Sequence, residues 1–109
     1  MTSPLPLPVE RSLKRLGLGL SLARRRRQMS QAMLAERIGA SLNTVRRMES
    51  GHPGTALQHL ARALQVFGEL DKLDALIDTA NDSVGLVLMD ERLPQRVRAP
   101  KRTSDSGAL

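Results

Sequence analysis

The sequence predicts an all-α fold of five helices, followed by one short C-terminal β-strand. Three observations lead there. Apolar residues recur at helical spacing from about residue 10 to about residue 79. Ser, Thr and Gly stand where successive helices begin and end. Only one stretch, 84–89, is a short apolar run with β-branched residues and a turn before it. A chain of 109 residues fits one small domain.

Residues 1–9, with Pro4, Pro6 and Pro8, read as a flexible arm, because each proline lacks an amide donor and holds its predecessor out of the helical region. A first helix follows from Glu10 to about Gln28, with Leu13, Leu16, Leu20 and Ala23 in phase. Gly17 and Gly19 weaken its middle by about 1 kcal/mol each and mark a frayed or bent segment. Ser30 caps a second helix, 31–38, which Gly39 ends. Ser41 caps a third, stopped by Gly51, and His52-Pro53-Gly54 is a turn. Thr55 is expected to cap a fourth helix with Leu57, Leu60, Ala61, Leu64 and Phe67 on one face, ending at Gly68. Leu70, Leu73, Leu76 and Ile77 outline a fifth, from Glu69 to about Thr79.

Residues 10–80 thus form the helical domain and 81–93 a strand segment. A lone strand cannot satisfy its own backbone groups, so Val84, Leu86, Val87 and Leu88 are expected to pair with their copies in a second subunit. Residues 94–109, polar and basic with two prolines, read as a disordered tail.

Composition excludes several function classes. There is no Cys, so neither disulfides nor thiolate metal sites nor a thiol nucleophile can form. Two His residues cannot by themselves build a structural zinc site, and no metal or cofactor is expected. No apolar run approaches the roughly 18 residues that span a bilayer. The N-terminus has no basic stretch before its apolar residues, so it does not read as a signal peptide, and a cytoplasmic location is expected. The net charge of +6 is unevenly spread. Residues 1–62 hold 11 basic and 3 acidic side chains, residues 63–93 hold 2 and 7, and residues 94–109 hold 4 and 1. The first segment suits a polyanion and the second a different partner; an uneven but purely solvating surface is the alternative.

The most specific signal runs from Ser30 to Gly51. Two short helices joined by a tight Gly-containing turn form a helix-turn-helix. Ala35 is small where the helices cross, Gly39 permits the turn, and Ile38, Val45 and Met48 fasten the second helix to the core. Leu42, Asn43, Arg46 and Arg47 are left on the open face, which suits a major groove about 12 Å wide. An αα-hairpin of an ordinary bundle is the plainer alternative. Asn pairs bidentately with adenine and Arg with guanine, whereas Arg46 lies further round the helix and suits a phosphate. The run Arg24 to Arg27 covers all sides of a helix, so one or two of the four reach phosphate.

On these residues the stretch from Ala23 to Phe67 resembles the five-helix helix-turn-helix domain of the phage-repressor and Xre type. With the acidic helix, the segment GLVLMDERLP and the basic tail, the chain looks more specifically like HipB-type antitoxins, which are encoded beside HipA-type Ser/Thr kinase toxins. The resemblance implies a repressor that binds a palindromic double-stranded DNA operator as a homodimer, autoregulates its operon and binds such a kinase toxin. It implies base reading by Leu42, Asn43 and Arg47, phosphate contacts from Gln31, Ser41 and Thr44, and an ion pair between Arg24 and Glu49. Arg46 and Arg25 join the phosphate set from chemistry alone. Leu42 departs from the polar residue usual there, and an apolar side chain can meet only a group such as a thymine methyl. Alternatives are a stand-alone Xre-type repressor and a protein-only adaptor.

Other features carry less. Gly17-Leu18-Gly19 has no third Gly and no preceding strand, so it is no nucleotide loop. His59 reads as a partly exposed surface residue and His52 as a turn residue within reach of a DNA backbone. Asp71, Asp74 and Asp78 share a helical face better read as solvated or partner-facing than as metal-binding. No acid/base pair with supporting residues, triad or phosphate loop is present, so an enzyme is not expected.

Overall fold

In the computed structural model, residues 4–78, 80 and 82–96 are described. The chain divides into two compact units, Met1–Leu73 and Asp74–Leu109. Among the described residues there are six helices: α1 (Leu7–Arg26), α2 (Gln31–Ile38), α3 (Leu42–Glu49), α4 (Leu57–Phe67), α5 (Leu70–Asp74) and α6 (Ser83–Arg96).

The first unit is built around a core that every one of α1 to α4 enters. Leu34, Val45 and Ala63 are wholly inaccessible, and Leu20, Met29, Ile38, Met48 and Phe67 are buried beside them. α1 starts earlier than its apolar rhythm suggests, at Leu7 rather than Glu10. Pro8 sits in its first turn, where a missing amide hydrogen costs nothing because no intrahelical acceptor exists there. The helix is continuous through Gly17 and Gly19 to Arg26. Gly17 is buried because α1 passes hard against the end of α3: a Cβ there would lie 2.5 Å from the Glu49 carbonyl oxygen and 2.7 Å from the Gly51 nitrogen. It is a close-approach residue, not a point of fraying.

The chain leaves α1 through Gln28, whose φ of 57° is left-handed. α4 begins without a side-chain cap. Its N-cap is Ala56, one residue beyond the expected Thr55, and the Thr55 Oγ1 is buried without a partner. At its far end Arg27 lies over the ring of Phe67, 5.1 Å from the centroid, and donates 2.9 Å to the Phe67 carbonyl. The fifth helix is shorter than the expected Glu69 to Thr79. α5 stops at Asp74, and Leu76 and Ile77 are exposed, so that stretch has no buried face to hold it helical.

In the second unit the expected strand is absent: residues 84–89 lie inside α6. A helix satisfies its backbone groups internally, where a strand here would need a partner chain. Asp82 supplies a start signal, its Oδ1 accepting from the Gly85 amide at 3.0 Å and its carbonyl from the Leu86 amide at 2.8 Å. Leu86, Leu88, Met89, Glu91 and Arg92 are good helix formers and outweigh the two valines. Val84, Val87 and Leu88 therefore form an exposed stripe, not strand contacts, and Leu86 is half-buried. Of the expected arm, residues 1–3 lie outside the described residues; of the expected tail, residues 94–96 belong to α6 and 97–109 lie outside them.

Candidate nucleic-acid interface

Three local devices set the pose of α3. Ser30 caps α2, its Oγ accepting from the Met33 amide at 3.0 Å. Gly39 turns the chain with a φ of 69°, which side chains with a Cβ rarely adopt. Ser41 caps α3, its Oγ accepting from the Thr44 amide at 3.1 Å and lying 3.0 Å from the Thr44 hydroxyl. Val45 and Met48 then anchor α3 in the core, at 0% and 3% exposure. Asn43, Arg46 and Arg47 consequently stand exposed, and Leu42 is half-buried. Arg46 and Arg47 occupy the last turn, where the helix dipole favours cations.

A polar knot fixes the C-terminal end of α3. Arg24 grips the Glu49 carboxylate bidentately, Nε to Oε2 at 2.7 Å and Nη2 to Oε1 at 3.0 Å. Gln31, the first residue of α2, donates its Nε2 to the same Oε1 at 3.0 Å. Arg24 also donates Nη1 to the Met29 carbonyl at 2.8 Å. One carboxylate thus ties α1, α2 and α3 together. The two paired side chains are only 10% and 6% exposed. Burial alone pushes the Glu49 carboxyl up, but hydrogen bonds from Arg24 and Gln31, the Arg24 charge and the Ser21 hydroxyl together hold it below the ordinary glutamate range.

The arginine run divides by role. Arg24 points inward, Arg27 is held by Ala23, Phe67 and Glu69, and Arg25 and Arg26 are exposed on the last turn of α1. Sequence reasoning missed Arg62, which donates from α4 to the Ile38 carbonyl at 3.2 Å and so braces the turn ahead of α3. No local pattern announces a contact across 24 positions. His59, expected to be a partly exposed surface residue of the fourth helix, is half-buried on α4 in a small cleft that Thr44 and Arg47 share. His52 is a turn residue: its Nδ1 accepts from the Gly54 amide at 2.8 Å.

A family model described as helix-turn-helix matches residues 20–73, the span from mid-α1 into α5 that contains the turn, α3 and the polar knot. Over residues 20–73 the chain is similar to helix-turn-helix domains, which supports the Xre and phage-repressor type. The helix-turn-helix domain is that of DNA-binding transcriptional regulators, a regulatory and not an enzyme family. No curated protein and no solved structure matches the chain. Among the described residues no helix is long and apolar enough to cross a membrane, and no group of three or more His, Cys, Asp or Glu is placed to hold a metal ion.

Proposed function

We propose that the protein is a homodimeric, sequence-specific repressor that reads a palindromic operator in its own promoter. The observation that carries this reading is the two-sidedness of α3: Val45 and Met48 are locked in the core while Asn43, Arg46 and Arg47 stand in the open. Asn43 pairs with adenine and Arg47 with guanine, each worth about 1–3 kcal/mol of discrimination. Leu42 meets a thymine methyl at the edge of this face. Arg46, Arg25, Ser41, Thr44 and the uncommitted atoms of the Gln31 amide contact phosphates and set the register.

Two recognition helices about 34 Å apart match successive turns of one groove face, and that requirement supports the homodimer. With no strand at 84–89, the exposed stripe of Val84, Val87 and Leu88 on α6 is the surface we assign to contact between the two copies. Titration of promoter DNA at two salt concentrations tests the reading. Affinity should fall steeply with salt, and binding that ignores salt, or no binding to the promoter, rejects it.

We further assign the protein as the antitoxin of a type II module, binding a HipA-type Ser/Thr kinase toxin through the acidic stretch 63–93. Its 7 acidic against 2 basic residues support a basic partner there. A pull-down with the product of the adjacent gene decides this point. A stand-alone repressor is the second reading, and one observation favours it: 84–89 is helical, not the intersubunit strand expected beside the antitoxin resemblance.

A further inference from the structure

We propose that the open groove between α1 and the corner joining α4 to α5 receives α6 of a second copy of the chain. The groove holds about 720 Å³. Leu20 and Phe67 form its floor, with Leu16 and Leu64 beside them, and Leu16 is 44% exposed. Arg15 and Arg26 stand at its rim, both exposed and without a hydrogen bond or ion pair among the described residues. An apolar trough edged by uncommitted cations suits an apolar helix face that carries acid, and disfavours a basic one.

α6 presents such a face. Val84, Val87 and Leu88 are 70%, 56% and 46% exposed, and the exposed Glu91 continues their stripe one turn on. Residues 74–96 hold 5 acidic and 2 basic side chains, against 11 basic and 3 acidic over residues 1–62. The chain is thus complementary in charge to a copy of itself. The lengths agree as well. The groove follows α1 from Ser12 to Arg26, about 22 Å of helix, and the 14 residues of α6 span about 21 Å.

The inference rests on the homodimer reading and names the surface that takes the α6 stripe. With α6 of each copy in the groove of the other, two identical contacts form about one two-fold axis, and assembly stops at two chains. Among the described residues none of α3 lines the groove, so the base-reading face stays open.

Sedimentation equilibrium of the full chain without DNA tests this with two variants. Gly19→Glu places a carboxylate in the groove, at a position where nothing lies within 4 Å of an added Cβ. Val87→Glu places one on the exposed stripe of α6. Glutamate is a good helix former, so the circular dichroism of both should match that of the wild type. The wild type should be a dimer at micromolar concentrations. Each variant alone should raise the dimer Kd about 10-fold or more, because its carboxylate would enter an apolar contact. Mixed in equal amounts, the two variants should associate more tightly than either alone, since the mixed pair keeps one open groove facing one intact stripe. A monomeric wild type overturns the homodimer reading and this inference together. A dimer that Gly19→Glu leaves intact, or mixing that restores nothing, overturns the groove assignment alone.

Discussion

Gly17 and Glu49 lie so close that α1 and α3 meet backbone to backbone. A Cβ on Gly17 would sit 2.5 Å from the Glu49 carbonyl oxygen, and one on Gly51 would sit 2.7 Å from the Leu13 carbonyl oxygen. This contact sets the height at which α3 stands against the rest of the domain. The Arg24 guanidinium locks it two turns further along α1.

Gly17 and Gly19 should therefore respond oppositely to alanine, although both are interior helix glycines. Gly19→Ala meets nothing within 4 Å and should gain about 1 kcal/mol from helix propensity. Gly17→Ala makes the same local gain but forces two backbones apart, and should lose about 1–3 kcal/mol net. Urea unfolding of the two variants checks the sign of each.

Removing one member of the buried pair should be costly, because it leaves the other charge without its partner. Arg24→Ala should lose about 3–5 kcal/mol, and DNA affinity should drop with it as α3 loosens. The same pair shapes the acid response. Since the folded state holds the Glu49 carboxyl below its ordinary value of 4.5, its contribution is fully present above that pH. It is lost as pH falls from there through the folded value. In Glu49→Gln this part of the acid loss should be missing, so the stability gap between the two proteins should narrow as pH drops below 4.5. A gap that widens on acidification would contradict the assignment.

Gln28 holds a left-handed conformation with φ 57°, which a side chain with a Cβ pays for in steric strain. Gln28→Gly should remove that strain and raise stability by up to about 1 kcal/mol, after allowing for the greater freedom of glycine in the unfolded chain. Thermal unfolding measures it; a marked fall in melting temperature would show that the Gln28 side chain has a role of its own.

The parts of this fold that were legible in the sequence are those fixed locally. Ser30, Gly39 and Ser41 act within three or four residues of themselves, and the apolar spacing of Ile38, Val45 and Met48 separates a buried from an open side of α3. What escaped depends on distant chain. Gly17 reads as a weakness until α3 is laid against it, and Arg62 and Arg27 read as surface charge until Ile38 and Phe67 offer their carbonyls. The run 84–89 failed for another reason. A short apolar stretch looks alike in a strand and a helix, and Asp82, the local signal that separates them, reads equally as part of a turn. The pairing of Arg24 with Glu49, across 25 positions, entered through family resemblance and not through any spacing rule.

The central claim is that α3 reads bases through Arg47 while Arg46 holds the backbone. The most direct measurement is a fluorescence-anisotropy titration of the wild type, Arg47→Ala and Arg46→Ala against a duplex from the protein's own promoter and a scrambled duplex of equal composition. At low salt, Arg47→Ala should lose about 1–3 kcal/mol on the promoter duplex and little on the scrambled one. Arg46→Ala should weaken both alike and flatten the salt dependence by about one unit of slope. Equal affinity of the wild type for both duplexes, or loss of the same size on both with Arg47→Ala, would contradict the account.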